Sequence, residues 1–291
     1  MVGGKAASLA RLVAAGIPVP DFFVVTSAAF EHHLAINRLI WPASNDPETV
    51  EQLAERIKKA PMPGAVHESL IRAYEVQLRA NVEIFVAVRS SGAGEDSGPA
   101  SYAGQFSTML NIQAGRLKRA VQECWASALS ASSLAYRKRR NLPLGPGPAF
   151  AVVVQVQIFS EKAGVLFTRH PLEPHGDAAY LEANFGTGES VVGGMVTPDS
   201  YTLSRETGAV TEYRIGSKKR MTVVSNNAQG SRVIDTDPDL SARPSLSPDE
   251  AEEVLAMGLK IEELMGHPQD IEWAFDENQL WILQARPQTG G

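Results

Sequence analysis

Apolar side chains recur every three or four residues in Lys5–Ala15, Thr49–Ala60 and Ala65–Ala80. This spacing places them on one side of a helix, so each stretch predicts an amphipathic helix. The apolar run Ile84–Val88, followed by Arg89, instead predicts a buried strand over Ile84–Arg89, and Met109–Ile112 predicts the next one. The first part of the chain should therefore pack helices on a sheet.

Strands are also predicted at Phe150–Phe159, Gly164–Thr168 and Ala178–Asn184, after a predicted helix at Leu117–Arg140. The basic residues at the end of that helix are typical of a solvated helix terminus. Because strands and helices are mixed without a regular βαβ rhythm, the pattern predicts an α+β fold rather than a doubly wound sheet.

A late helix carries clear signals at both ends. Ser247 is a suitable N-cap, Pro248 fits the first helical position, and Glu250 can complete a capping box. The apolar stripe that follows predicts a helix that Gly266 can end.

The last strands read as a hairpin, because Asp270–Phe275 and Leu280–Pro287 both alternate apolar and polar residues around a short turn. If Phe275 lies opposite Trp281, then Glu272 lies opposite Gln284 and Asp270 opposite Arg286. The predicted apolar face carries Ile271, Trp273, Phe275, Trp281, Leu283 and Ala285. The predicted polar face carries Asp270, Glu272, Gln284 and Arg286.

The polar face suggests a chemistry. Carboxylate and amide oxygens suit a hard cation such as Mg²⁺, and a guanidinium beside them suits phosphate. The alternative interpretation is an edge hairpin with a solvated polar face.

Two further segments could hold phosphate. Gly3-Gly4-Lys5 precedes a predicted helix, whose N-terminus offers free N–H groups, although it could equally be a frayed chain end. A loop rich in glycine and serine, Ser90–Gly104, follows Arg89 and could wrap phosphate oxygens or remain a plain surface loop. It is not a Walker A loop, since no such motif occurs here.

The bulk properties exclude some classes. The chain has 291 residues with a net charge of -6, which argues against non-specific nucleic-acid binding. Cys124 is the only cysteine, so an intrachain disulfide is excluded. Neither a signal peptide nor a membrane-spanning stretch is evident, and we expect a cytoplasmic protein without membrane contact.

Several motifs resemble the ATP-binding domain shared by phosphoenolpyruvate synthase, pyruvate phosphate dikinase and rifampicin phosphotransferase. They lie at Gly3–Leu9, Val88–Gln105, Phe185–Tyr201 and Pro268–Pro287, so the resemblance covers nearly the whole chain. It implies an ATP-grasp-like fold with two lobes enclosing a nucleotide cleft. We expect the lobes to be residues 1–158 and 159–291.

The resemblance also implies roles for individual residues. Lys5 and Arg89 would hold phosphates, and Arg89 and Arg286 would act on the transferred group. Asp270, Glu272 and Gln284 would bind Mg²⁺. The loop over the triphosphate would contain Gly104, Gln105, Phe106, Ser107 and Thr108, and the hinge beside adenine would contain Gln155 and Gln157.

In these families ATP gives a pyrophosphoryl group to a histidine on a swivelling domain. The chain has six histidines, and none of them lies in the carrier motif of those families. They are His32, His33, His67, His170, His175 and His267. The first hypothesis is therefore a phosphotransferase module that modifies a phosphohistidine-domain protein in trans. The alternatives are an ATP-dependent ligase and a non-catalytic nucleotide-binding partner.

Overall fold

The computed structural model describes residues 1–41, 46–78, 84–92, 108–131, 133–135, 150–224, 230–277 and 279–288. Contacts divide the described residues into two units. The first takes its residues from Met1–Ala7, Asp21–Glu95 and Gly104–Gln157, and the second from Ser8–Pro20 and Ile158–Gly291. Both contain helices and antiparallel strands, so the α+β class is confirmed.

The first unit is built on a four-stranded antiparallel sheet in the order β1-β4-β2-β3. Its elements are β1 (Phe22–Val25), α2 (Ser27–Ile36), α3 (Pro47–Lys59), α4 (Gly64–Gln77), β2 (Val86–Gly92), β3 (Thr108–Ile112), α5 (Ala114–Ala126) and β4 (Phe150–Val156). Helix α1 (Gly3–Ala14) contributes its start to this unit and its remainder to the other. Strand β4 is central and fully buried from Ala151 to Val154, as its β-branched run predicts.

The predicted helix Leu117–Arg140 is interrupted: within the described residues it stops at Ala126 and is helical again at 131 and 133–135. Helix α5 ends at Ala126, and a 3-10 turn follows at Ser127–Leu129. The hydroxyl of Ser127 donates to the carbonyl of Cys124 at 2.6 Å. Such local side-chain bonding to the backbone competes with helix continuation. The basic run at 137–140 lies outside the described residues.

The second unit contains a six-stranded antiparallel sheet in the order β12-β11-β5-β6-β7-β8 and a small β10-β9 ribbon. Its strands are β5 (Lys162–Phe167), β6 (Ala178–Phe185), β7 (Asp199–Ser204), β8 (Val210–Arg214), β9 (Arg220–Val224), β10 (Ser231–Asp235), β11 (Gln269–Asp276) and β12 (Gln279–Pro287). Its helices are the short α6 (Glu189–Val192) and α7 (Pro238–Ser241) and the long α8 (Pro248–Met265).

Helix α8 has the predicted ends. Ser247 and Glu250 form a complete capping box, and Gly266 adopts a left-handed conformation with φ 82°. Gly258 lets the helix approach the sheet, because an added Cβ would lie 2.2 Å from Cδ2 of Leu166. One face of the six-stranded sheet is thereby buried under α8.

A buried ion pair fixes strand β7 of this sheet. Lys218 and Asp199 are almost fully buried, and Nζ of Lys218 lies 2.5 Å from Oδ1 of Asp199. The backbone N–H groups of Gly216 and Ser245 and the Ser245 hydroxyl also donate to this carboxylate. Asp199 therefore joins three segments, and its hydrogen bonds offset the cost of burying its charge.

Gly164 has no room for a side chain, and we expect Gly164→Ala to lower the free energy of unfolding by about 1–3 kcal/mol. An added Cβ would lie 1.9 Å from the carbonyl oxygen of Glu182 and 2.8 Å from the Trp273 indole. Urea unfolding measures the loss. Gly115→Ala is the control, since nothing lies within 4 Å of its added Cβ. Equal unfolding midpoints for Gly164→Ala and the wild type would contradict the prediction.

Candidate nucleotide site

The amino-terminal residues are held against strand β2. Nζ of Lys5 donates to the carbonyl of Ser90 at 3.0 Å, and the backbone N–H of Ala6 donates to the Ser91 hydroxyl. Gly3, with φ 75°, leaves space that the Ser91 backbone occupies, because an added Cβ would lie 2.1 Å from its oxygen. Lys5 is thus a buried cation at a helix start, beside the end of β2.

Arg89 lies on the same strand and is also buried. Its Nη1 donates to Oε1 of Gln155 on β4 at 3.4 Å, and its backbone pairs with Thr108 on β3. The backbone N–H of Gln157 donates to the carbonyl of Phe85. The first unit therefore brings Lys5, Arg89, Thr108 and Gln155 together along three neighbouring strands and the start of α1.

The loop residues Gly104, Gln105, Phe106 and Ser107 lie outside the described residues. Their expected role over the triphosphate stays a prediction.

The hairpin β11-β12 has the predicted register at its polar end. Asp270 lies opposite Arg286, and Glu272 lies opposite Gln284. Directly opposed residues project from the same face, so these four side chains share one face of the six-stranded sheet. We call this the polar face.

The predicted pairing of Phe275 with Trp281 is wrong. A β-bulge between Glu272 and Trp273 shifts the register, and Phe275 pairs with Leu280. An extra residue in one strand exchanges the faces of every residue beyond it. Leu280 and Ile282 are therefore buried, whereas Trp281 and Leu283, predicted on the apolar face, are only partly buried.

Beyond the bulge, the polar face continues as an apolar patch. Its members are Ile158, Ala163, Ala274, Trp281 and Leu283. The bulge thus separates a charged end of the hairpin from an apolar end on the same side of the sheet.

Asp270 and Arg286 form a close ion pair. Nη2 and Nε of Arg286 lie 2.7 Å and 2.9 Å from Oδ2 of Asp270, and both side chains are largely buried. Burial raises the pKa of Asp270, Arg286 opposes that rise, and the Glu272 carboxylate adds to it. The carboxylates of Asp270 and Glu272 therefore repel one another here.

This donor set fits Mg²⁺. Two neighbouring carboxylates and the amide oxygen of Gln284 are hard oxygen ligands, and Mg²⁺ at nucleotide sites commonly takes one or two carboxylates and completes its shell with phosphate oxygens and water. A cation would also relieve the repulsion between Asp270 and Glu272. Within the described ranges, no group of three or more His, Cys, Asp and Glu side chains is arranged to hold a metal ion by itself.

The sequence interpretation missed Glu182 and Tyr180, which also lie on the polar face. Glu272 pairs with Val165 on β5, and Val165 pairs with Glu182 on β6. Tyr180 is two residues away on the same side, and its hydroxyl donates to Oε1 of Glu182 at 3.4 Å. The alternation of these residues inside the predicted strand Ala178–Asn184 could have revealed them, but only with the order of the strands.

The chain matches, over residues 1–291, the family described as the pyruvate phosphate dikinase AMP/ATP-binding domain. It belongs to that family. The match spans both units and includes every predicted site residue of this pyruvate phosphate dikinase AMP/ATP-binding domain. The family that the sequence motifs resemble is thereby confirmed.

Curated relatives of this ATP-binding domain are longer proteins. The chain is 35% identical to a probable phosphoenolpyruvate synthase of Methanocaldococcus jannaschii, covering 99% of this chain and 25% of that protein. It is 36% identical to one of Archaeoglobus fulgidus, with coverages of 99% and 40%. It is 33% identical to the "Uncharacterized phosphotransferase YvkC" of Bacillus subtilis, covering 99% of this chain and 33% of that protein. The chain spans less than half the length of these relatives.

Solved structures similar to this ATP-binding domain include two ligases. The D-alanine-D-alanine ligase of Helicobacter pylori gives a TM-score of 0.39 at 10% identity, covering 98% of this chain and 54% of the ligase. The VanG D-Ala:D-Ser ligase of Enterococcus faecalis gives a TM-score of 0.39 at 10% identity, covering 97% of this chain and 51% of the ligase.

None of the helices in the described part of the chain has the length and apolar character to span a membrane.

Proposed function

We propose that this ATP-binding domain transfers a phosphoryl or pyrophosphoryl group from Mg-ATP to a histidine on a separate domain or protein. The observation that carries the proposal is the polar face, where hairpin register places two carboxylates, an amide and a guanidinium side by side. Phosphoryl transfer depends mainly on positioning and charge neutralisation, and these groups provide both.

In this proposal, different residues of the second unit contact the base, the metal ion and the phosphates of the nucleotide. The partly exposed side chains of Trp281 and Leu283 in the apolar patch offer a surface for the adenine base. Glu272 and Gln284 hold Mg²⁺, with Asp270 beside them, and Arg286 donates to the transferred phosphate. Bound Mg²⁺ would neutralise phosphate charge and orient the phosphate oxygens.

In the first unit, Lys5 and Arg89 are the proposed phosphate-binding cations. Both side chains are at least nine-tenths buried, and each keeps a fixed position through a hydrogen bond to its own unit. A cation held in place loses less conformational entropy when it binds an anion. These contacts support a preorganised role, with Gln155 holding the Arg89 guanidinium and Gln157 following directly after the end of β4.

The acceptor histidine is proposed to lie outside the matched domain. The chain spans 25% to 44% of the curated phosphoenolpyruvate synthases it matches, which leaves most of each relative for other functions. Within the chain, His33 is fully buried and its Nε2 lies 3.2 Å from the carbonyl of Ile57. Burial lowers the pKa of His33, and this environment supports a structural role.

The test is to incubate the chain with Mg-ATP, alone and with a histidine-domain protein of the phosphoenolpyruvate synthase type, and to resolve the nucleotides and the labelled protein. We expect an acid-labile phosphate on the added protein together with AMP, or with ADP if a single phosphoryl group is transferred, and only when both components are present. AMP or ADP formed only with a small carboxylic acid and an amine would support a ligase instead. Nucleotide binding without turnover under any condition would contradict the transferase.

A further inference from the structure

Strand β3 contains a β-bulge where it pairs with β2. Val86 lies opposite Ile112 and Val88 lies opposite Met109, so β2 has one residue between these pairs and β3 has two. One of the two is Asn111, whose backbone is left-handed with φ 61°. Asparagine and glycine adopt this region more readily than other residues do. The bulge therefore depends on a backbone conformation that most residues at position 111 would resist.

The bulge decides which side of the sheet Thr108 faces. In a regular strand, residues three apart point to opposite faces and residues four apart point to the same face. Met109 and Ile112 are three apart, yet both pack against the hydrophobic core of the first unit. The extra residue exchanges the faces of the residues beyond it, so Thr108 points away from this core although Ile112 points into it. Thr108 is accordingly exposed.

The side that Thr108 faces is the side of the proposed phosphate-binding cation. Thr108 lies directly opposite Arg89 on β2, and directly opposed residues project from the same face. The Arg89 guanidinium donates along this face to Gln155 on β4. A hydroxyl and a guanidinium on one face are both hydrogen-bond donors for phosphate oxygens.

We propose that Asn111 is a positioning residue of the phosphate site, because its left-handed backbone turns the Thr108 hydroxyl to the side of Arg89. The inference rests on the proposed function, in which Arg89 binds phosphate. A regular β3 that kept Ile112 in the core would turn Thr108 into the core as well. Residue 111 acts through its backbone conformation, and its side chain needs no contact with the nucleotide.

The test compares Asn111→Gly with Asn111→Ala in the full chain. Both substitutions remove the side-chain amide, but only glycine adopts the left-handed region without strain. Strain at position 111 lowers the fraction of molecules that keep the bulge, and the apparent affinity falls with that fraction. In calorimetric titration with Mg-ATP, Asn111→Gly should bind nearly as the wild type does. Asn111→Ala should bind about five- to thirtyfold more weakly than Asn111→Gly, the fold-change that corresponds to the usual strain of a left-handed residue with a Cβ.

Thiol labelling reads the direction of the side chain at position 108 without ATP. Thr108→Cys places a thiol at an exposed position, whereas the chain's own Cys124 is fully buried. Combined with Asn111→Gly, this thiol should react as fast as in Thr108→Cys alone. Combined with Asn111→Ala, it should react about five- to thirtyfold more slowly, because only molecules that keep the bulge expose it.

The matched control is the pair Arg38→Gly and Arg38→Ala. Arg38 is exposed in the turn after α2 and also has a positive φ, of 51°. Urea unfolding should separate these two variants, but their affinities for Mg-ATP should be equal.

The outcomes separate the two proposals. Equal affinities of Asn111→Gly and Asn111→Ala, loss of binding in Asn111→Gly, or a thiol that reacts equally in both combinations would overturn the role of Asn111. ATP binding by the wild type would still stand in each of these cases. If the wild type binds no Mg-ATP, both proposals fall.

Discussion

Replacing Glu272 by alanine should abolish the dependence of ATP binding on Mg²⁺ and reduce phosphoryl transfer at least about a hundredfold, since a bound metal supplies several kcal/mol of charge stabilisation. Glu272 lies opposite Gln284 and beside the Asp270–Arg286 pair. In the variant the Glu272 carboxylate is gone, and the remaining acid, Asp270, is already paired with the Arg286 guanidinium. The site then loses one of the two carboxylates that would attract a cation.

Calorimetric titration of ATP with and without Mg²⁺ measures the first effect, and AMP formation with the histidine-domain protein measures the second. The control is Glu277→Gln, which removes an acid from the exposed turn of the same hairpin. It should behave as the wild type does. A Glu272→Ala protein whose affinity for ATP still rises with Mg²⁺ as in the wild type would remove Glu272 from the metal site.

The hairpin shows how far sequence periodicity reaches. Alternation predicted both strands and the pairing of Asp270 with Arg286 and of Glu272 with Gln284, which the structure confirms. It failed beyond Glu272, because a β-bulge adds one residue to one strand without a local sequence signal. As a consequence, the bulge turns Trp281 and Leu283 onto the side that carries the charged residues.

Helix ends were predictable for a different reason. The capping box at Ser247 and the left-handed Gly266 depend on residues within one turn, so the sequence contains the whole signal. The end of α5 depends instead on a competing bond from Ser127, which the apolar stripe does not encode.

The grouping of the candidate residues was predictable only where they are close in sequence or match the family motifs. Glu182 and Glu272 are far apart along the chain and become neighbours on one face through the order β11-β5-β6. That order follows from tertiary packing of antiparallel strands and cannot be read from alternation in any single strand. The same holds for Lys5 and Ser90, whose contact depends on where α1 begins relative to β2.

Replacing Arg286 by lysine should lower phosphoryl transfer roughly a hundredfold, the loss typical of removing one donor aimed at a transition-state charge. The guanidinium places two N–H groups on Oδ2 of Asp270, at 2.7 Å and 2.9 Å, and its planar fork has five N–H donors in all. A lysine ammonium keeps the positive charge but cannot serve Asp270 and the phosphate in the same geometry. The effect should therefore appear mainly in turnover, with a smaller change in affinity for ATP.

Arg232→Lys on strand β10 is the matched control, because Arg232 is exposed and the substitution is chemically identical. Single-turnover measurement of AMP formation at saturating ATP separates the chemical step from binding. Arg286→Lys and Asp270→Asn should also be less than additive when combined, since each disturbs the same buried ion pair. Turnover by Arg286→Lys equal to that of Arg232→Lys would exclude Arg286 from the transferred phosphate and leave it only the role of neutralising Asp270.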